Sequence, residues 1–149
     1  MISFIVYGDP MGKQRPKFST FNGYVKTYTP QDTQNYESKV ISAYKEQCNA
    51  DLIEPNVMLV AKIKAYFKIQ KGCYAYHKKT NTMDLTTKGI DMVSGKIKPT
   101  KKPDCDNIAK IVLDALNGIA YYDDSQVVEL SVCKLYSESP RVEVEIYEI

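Results

Sequence analysis

The sequence has no long apolar run and no cysteine pattern, and these absences exclude several classes of protein. No stretch approaches the roughly eighteen apolar residues of a membrane helix, and the N-terminus lacks the basic start and cleavage site of a secretory signal. The four cysteines are scattered without a C-x-x-C pair, which argues against a disulfide framework and a zinc site. We therefore expect one soluble, cytoplasmic domain over residues 1–149 with reduced thiols.

Histidine is almost absent as well. The only one, His77, lies near Cys73, but two ligands do not make a structural zinc site. No serine or cysteine nucleophile is convincingly placed to work with it. The sequence thus gives little support to a zinc protein or to a hydrolase with a covalent intermediate.

Charge is unevenly distributed along the chain although the net charge is only +2. Residues 62–102 hold eleven lysines against two aspartates, a net of +9, whereas residues 103–149 hold three basic and ten acidic groups, a net of −7. This distribution suits an enzyme that attracts a polyanion and concentrates carboxylates to hold cations. A solvated lysine-rich loop beside an acidic hairpin would explain the same composition.

Hydrophobic periodicity in the first half of the chain predicts a strand, a helix and a second strand. An apolar run at residues 2–7 predicts a buried strand. Thr29 and Pro30 predict the cap and first position of a helix over residues 30–48. Alternation over residues 57–67 predicts a long strand whose outer face is basic.

The second half predicts a further helix and a hairpin. Apolar residues at helical spacing predict a helix that begins near Asp106 and stops at Asn117-Gly118, and two alternating runs joined by residues 137–140 predict a β-hairpin. Residues 70–103 show no sustained period and are interpreted as an irregular basic loop. The expected fold class is α+β, in the order β-α-β-α-β-β, with a small mixed sheet and two helices packed on one face.

Aspartates near the second helix are candidates for chemistry. Asp104 and Asp106 are separated by one residue in a stretch that we expect to be extended, so their carboxylates should point to the same side. Hard oxygen ligands of this kind suit Mg²⁺. Asp123 and Asp124 follow the helix, and one of them could complete a three-carboxylate pocket. Alternatively, Asp106 is only a helix N-cap, and adjacent aspartates in a turn are common.

Basic residues near these aspartates are candidates for contacts with phosphate. Lys110 lies four residues after Asp106, where it could form a helix ion pair or approach a scissile phosphate. The segment from Gly8 to Gln14 fails the spacing of a phosphate-binding P-loop. The predicted contacts to backbone phosphates of a nucleic acid, with an exposed basic loop as the alternative, are Lys13, Arg15, Lys17, Lys101 and Lys102.

Three segments resemble the RusA family of Holliday junction resolvases, which are endodeoxyribonucleases of bacteria and their phages. They are Lys102-Pro-Asp-Cys-Asp-Asn-Ile-Ala-Lys110, Leu113-Asp-Ala-Leu-Asn-Gly118 and Tyr122-Asp-Asp-Ser-Gln-Val127. The N-terminal segment Gly8-x-Pro10-x-x-Lys13-x-Arg15-Pro16 and the later Tyr28-Thr-Pro30 with Tyr36-Glu37 also resemble the family, so the likeness covers most of the chain except residues 70–98.

The resemblance implies a set of roles and partners. It implies that Asp104, Asp106 and Asp124 bind the metal, which would be Mg²⁺ with Mn²⁺ as a substitute, and that Lys110 assists catalysis. Asp123 matches the first acid of the family's Asp-Asp pair and is an additional candidate ligand. The resemblance further implies a homodimer that acts on four-way DNA.

The leading hypothesis is a Mg²⁺-dependent, structure-selective endonuclease that resolves Holliday junctions in recombination, repair or phage replication, in the cytoplasm of a bacterium or a phage-infected cell. One alternative is a module that binds branched DNA without cleaving it. Another is a metal-dependent nuclease of other branched DNA, such as flaps.

Overall fold

The computed structural model describes residues 1–149, which form eight strands and three α-helices. In chain order these are β1 (Ile2–Tyr7), β2 (Lys17–Phe21), β3 (Tyr24–Tyr28), α1 (Gln31–Gln47), β4 (Leu59–Lys68), β5 (Tyr74–His77), β6 (Thr82–Leu85), α2 (Thr87–Val93), α3 (Cys105–Leu116), β7 (Val127–Ser137) and β8 (Arg141–Glu148). Short 3₁₀ turns occupy Lys71–Cys73 and Asp124–Gln126.

A four-stranded mixed sheet forms the centre of the fold, with the strand order β1-β8-β4-β7. β8 pairs antiparallel with both β1 and β4, whereas β4 and β7 are parallel. Parallel strands need a crossover connection, and here that connection contains α3. The predicted α+β class, mixed sheet and order of the main elements are confirmed. The predicted β-hairpin of the last two strands is wrong, because β4 lies between β7 and β8 and pairs with both of them.

The core lies between one face of this sheet and the helices α1 and α3. In β4, alternate residues such as Ile63 and Ala65 are buried while Lys62 and Lys64 are exposed, as the alternation predicted. The predicted apolar stripe of α3 is buried in full: Ile108, Ile111, Val112, Ala115 and Leu116. None of the helices has the length and apolar content that a membrane crossing requires.

The start of α1 differs slightly from the prediction. The helix begins at Gln31, and the N-cap position is Pro30 rather than Thr29. Pro30 has no side-chain hydrogen bond to offer, and the Gln34 side chain instead donates to the backbone oxygen of Thr29 at 2.9 Å. The end at Gln47 agrees with the expected range.

The prediction of an irregular loop over residues 70–103 is wrong for most of that segment. β5 and β6 form an antiparallel hairpin, and α2 follows with the Thr86 hydroxyl accepting a hydrogen bond from the Gly89 N–H at 3.2 Å. Cys73 and Met92 are buried and join the core. Within the segment, residues 94–103 are the longest stretch outside a helix or strand.

A second hairpin was not predicted, because the segment around Lys13, Arg15 and Lys17 was interpreted as phosphate contacts or an exposed basic loop. β2 and β3 pair antiparallel around the turn at Asn22 and Gly23, whose φ angles are 49° and 78°. Positive φ at both positions is typical of the tight hairpin turn that asparagine followed by glycine favours. Every residue of both strands is exposed, so this hairpin projects from the fold.

Candidate active site

The N-terminus of α3 carries the first two predicted acidic residues. Asp104 is the N-cap and its side chain makes no capping hydrogen bond, while Asp106 lies in the first turn. Both are exposed. The expectation of an extended stretch is wrong, since Cys105 and Asp106 are already helical and strand-like alternation does not apply. The positive end of the helix dipole instead favours both carboxylates and any phosphate that approaches.

A cleft of about 430 Å³ adjoins Asp104 and is lined by residues 10–14, Lys102, Pro103 and Asn107. The loop after β1 is held against α3 because the Lys13 N–H donates to the backbone oxygen of Asn107 at 2.9 Å. Gly12 makes this contact possible, since a Cβ there would lie 2.8 Å from the Pro103 Cβ. The glycine that resembled part of a P-loop therefore allows the loop after β1 to pack closely against Pro103 and α3.

A second cleft of about 340 Å³ shares Pro10, Lys102 and Pro103 with the first, and we call it the basic groove because Lys68, Lys101 and Lys102 line it. The Lys101 ammonium lies 5.9 Å from the centre of the Phe67 ring. Lys101 and Lys102 were predicted as DNA contacts, and Lys68 lines the same groove. The basic groove thus runs directly into the cleft beside Asp104.

Lys13 has a different environment from the one predicted for a DNA contact. Its ammonium forms an ion pair with Asp114 at 3.1 Å and a second ion pair with Glu37, so it joins α3 to α1. Burial lowers the pKa of Lys13, but the hydrogen bonds to Glu37 and Asp114 outweigh it and the net shift is upward. A lysine held in this way has no free ammonium for DNA, whereas Arg15 and Lys17 are exposed.

Asp124 lies beside Asp114 rather than beside Asp104. Burial, and then the negative charges of Asp114 and Asp123, raise the pKa of Asp124. The adjacent Tyr121 is buried and its hydroxyl donates to the Leu113 backbone oxygen at 2.9 Å. This hydrogen bond holds Tyr121, and with it the segment that leads to Asp124, beside the part of α3 that contains Leu113 and Asp114.

The three carboxylates predicted to form one pocket are therefore divided along α3. Asp104 and Asp114 are ten residues apart along this helix, or about 15 Å at its usual rise. Within residues 1–149, no group of three or more Asp, Glu, His or Cys side chains is spaced to hold a metal ion. The structure brings Asp124 together with Asp114 and Asp123, whereas Asp104 and Asp106 are neighbours in sequence at the start of α3, where residues two apart do not face each other.

The two remaining predicted residues have different environments. Lys110 is exposed and makes no ion pair, so the predicted pair with Asp106 does not form. Asp123 caps the 3₁₀ turn: its carboxylate accepts from the Ser125 N–H at 2.9 Å, while the Gln126 side chain accepts in return from the Asp123 N–H at 3.2 Å. The hydrogen bonds to Ser125 lower the pKa of Asp123.

Most of the chain matches one protein family. A model of the family described as "Endodeoxyribonuclease RusA" matches residues 7–147. The chain belongs to the RusA endodeoxyribonuclease family. It is 37% identical over 148 residues to the uncharacterized protein YqaN of Bacillus subtilis (strain 168), with 99% of this chain and 96% of that protein covered. It is 26% identical over 143 residues to the crossover junction endodeoxyribonuclease rusA of Lactococcus phage r1t, covering 94% and 91% of the two chains.

The RusA family match includes the acidic residues, the cleft and the basic groove. It also includes three residues that sequence reasoning did not assign to the site, namely Glu37, Asn107 and Asp114. Asp114 lies four residues after Lys110 on the polar face of α3, and this spacing was the one available signal. Glu37 and Asn107 contact the loop after β1 through tertiary packing, which has no signature in local sequence.

Proposed function

We propose that this member of the RusA family is a Mg²⁺-dependent endonuclease that cleaves branched DNA, with four-way junctions as its substrate. The observation that carries the proposal is the exposed carboxylate of Asp104, which lines a cleft continuous with the basic groove, with Asp106 exposed in the first turn of α3. The phage relative named as a crossover junction endodeoxyribonuclease supports the substrate class.

The residues at the N-terminus of α3 fit a magnesium ion. Asp104 and Asp106 offer hard oxygen donors that no protein group occupies, and Mg²⁺ is usually held by one or two carboxylates together with waters and substrate phosphate. When bound, the ion would activate water and stabilise the leaving oxygen of a phosphodiester. Asp124 is the third metal ligand that the family resemblance implies. Because it lies beside Asp114, its contribution to the metal site is tested by its own variant.

The chain's own residues have the remaining tasks in this proposal. Lys68, Lys101 and Lys102 bind backbone phosphates along the basic groove and orient the strand. The N-terminus of α3 attracts the scissile phosphate through its partial positive charge. Lys110, exposed one turn beyond Asp106, offsets the negative charge that develops in the transition state.

We further propose that the enzyme acts as a homodimer. A four-way junction has two-fold symmetry, and a two-fold enzyme places two equivalent sites on opposite strands. Paired cuts of this kind would resolve the junction into two duplexes.

The test is incubation of the purified protein with a synthetic four-way junction, with and without Mg²⁺. We expect paired cuts that require the ion, and loss of cleavage in Asp104→Asn with junction binding retained. Asp51→Asn is the matched control, because Asp51 is exposed and makes no ion pair. Absence of cleavage by the unmodified chain, or equal cleavage by Asp104→Asn, would reject the proposal.

Asp124→Asn separates the two groups of carboxylates in the same assay. Loss of cleavage would make Asp124 part of the site despite its distance from Asp104 in the single chain. Full activity would restrict the metal site to the N-terminus of α3.

A second function, binding branched DNA without cleaving it, is favoured by one observation, which is that three carboxylates do not converge in the single chain. This function predicts salt-sensitive junction binding with no nicking in either Mg²⁺ or Mn²⁺. Cleavage of flaps in preference to four-way junctions would instead indicate a nuclease of other branched forms.

A further inference from the structure

The projecting hairpin of β2 and β3, which we call the arm, has two faces of different chemistry. Directly opposite residues of an antiparallel pair lie on the same face. One face carries, from base to tip, the pairs Lys17 with Tyr28, Ser19 with Lys26 and Phe21 with Tyr24. The other face carries Phe18 with Thr27 and Thr20 with Val25. The first face is therefore basic and aromatic, and the second is uncharged.

The aromatic side chains at the tip are unusually exposed. Phe21 and Tyr24 are 78% and 80% exposed, and they lie opposite each other next to the turn. A two-stranded hairpin is marginally stable in water on its own, and the arm buries none of its residues against the rest of the chain. An exposed aromatic pair on such an element indicates a binding partner.

Charge indicates which partner the arm fits. No acidic residue lies between Asp9 and Asp32, whereas Lys13, Arg15, Lys17 and Lys26 lie in that interval. Lys13 is paired within the fold, but the other three are exposed and make no ion pair. A basic surface that ends in aromatic rings matches nucleic acid, where phosphates contact lysines and exposed bases stack on rings.

The arm also starts next to the proposed site. Residues 10–14 line the cleft beside Asp104, and β2 begins at Lys17. A strand of five residues extends about 17 Å, so the tip lies within a few base-pair spacings of the point where the arm leaves the cleft. A strand of this length keeps the aromatic pair within reach of DNA that is bound in the cleft.

From these observations, and resting on the proposed function, we infer that the arm recognises the branch of the DNA. Phe21 and Tyr24 stack on bases that are unstacked at the branch point, and Lys17 and Lys26 contact the flanking phosphates. An intact linear duplex has no unstacked base to offer, so the aromatic tip confers preference for branched DNA and the lysines do not.

The experiment uses the full chain carrying Asp104→Asn, so that DNA is bound without being cut. Dissociation constants are measured by fluorescence anisotropy for a four-way junction and for a linear duplex of the same sequence. We expect Phe21→Ala with Tyr24→Ala to weaken junction binding by at least about five-fold, the lower end for loss of base stacking. Duplex binding should change by less than about two-fold.

Phe18→Ala is the matched control, since Phe18 is 72% exposed on the same strand but lies on the opposite face. It should leave both affinities unchanged. Phe21→Tyr with Tyr24→Phe, which keeps both rings, should restore junction affinity. Circular dichroism checks that each variant is folded, and sedimentation checks its oligomeric state.

Three results would overturn the inference: unchanged junction affinity in the alanine variant, equal loss on junction and duplex, or dissociation of an oligomer, which would make the tip a contact between copies. If the chain with an intact arm bound junctions no better than duplex, both this inference and the proposed function would fail. If the chain with Asp104 intact cleaved junctions while the alanine variant bound them normally, only the inference would fail.

Discussion

At the scale of single residues, the charged side chains of the site divide into two groups. Some are held by ion pairs or hydrogen bonds within the fold, and others have no protein partner. Lys13 is held by Glu37 and Asp114, and Asp123 is used as a cap. Asp104 and Lys110, in contrast, are exposed and make no ion pair. A charged side chain without a protein partner can bind a cation or a phosphate. Asp104 and Lys110 are therefore stronger candidates for a catalytic role than Lys13 and Asp123.

Gly12 is the residue whose size most directly limits the shape of the site. A Cβ at this position would lie 2.8 Å from the Pro103 Cβ and 3.0 Å from the Asn107 Cβ. Neither atom is the flexible end of a side chain, so the loop would have to move away from α3. We expect Gly12→Ala to lower the free energy of unfolding by about 1–3 kcal/mol, as measured by urea denaturation.

Gly72→Ala is the control for this prediction. An added Cβ at Gly72 meets no atom within 4 Å, so stability should change by no more than about 0.5 kcal/mol. Equal destabilisation by the two substitutions would contradict a specific contact at Gly12.

At the scale of secondary structure, the elements that bury one face were predictable from the sequence. β4 and α3 place apolar residues at a period set by the buried surface, so their spacing identified them. The arm buries neither face, and no such period exists along β2 and β3. The sequence feature that could have identified this hairpin is the pair Asn22-Gly23, which favours a tight hairpin turn whether or not the strands are buried.

The site was predictable only where it depends on local sequence. The position of Asp104 and Asp106 at the start of α3 follows from the helix pattern. The position of Asp124 depends on how the chain returns after α3, and that path is fixed by tertiary hydrogen bonds, including Tyr121 to the Leu113 oxygen. Such contacts leave no periodic pattern, so the grouping of Asp124 with Asp114 was not foreseeable.

Helix α1 should give the fold a characteristic sensitivity to alkaline pH. Tyr36 on α1 is buried, and burial raises its pKa to about 12 despite an opposing hydrogen bond from the Met11 backbone. The folded chain thus holds this proton more tightly than the unfolded chain, in which tyrosine has a pKa near 10. The stabilisation is fully present below about pH 10 and is lost as the pH rises from about 10 to 12.

We expect the free energy of unfolding to fall by roughly 2–3 kcal/mol through this group over that interval. Urea denaturation at a series of pH values measures the loss, and absorbance near 295 nm follows tyrosinate. Tyr36→Phe has no hydroxyl to ionise and should lose correspondingly less stability over the same range. An identical pH dependence in this variant would show that Tyr36 does not carry the effect.

At the scale of the whole molecule, folding converts the uneven charge of the sequence into two different surfaces. In the sheet, Lys62 and Lys64 of the lysine-rich segment stand opposite Glu145 and Glu143 of the acidic one. Cross-strand pairs of opposite charge reduce the local field. The three lysines of the basic groove form no ion pair and Asp9 is the one acidic residue that lines it, so a strong electrostatic attraction for DNA should be concentrated there.

The salt dependence of DNA binding tests this division. Each lysine that neutralises a phosphate releases counterions and contributes about 0.9 to the slope of log K against log salt concentration. With Asp104→Asn as the background, Lys102→Gln should lower the magnitude of that slope by about one, whereas Lys62→Gln should leave it nearly unchanged because Glu145 already stands opposite Lys62. Both lysines have exposed side chains, so a general effect of net charge would reduce the two slopes equally. Only a difference between them would assign the phosphate contacts to the basic groove, which adjoins the cleft beside Asp104.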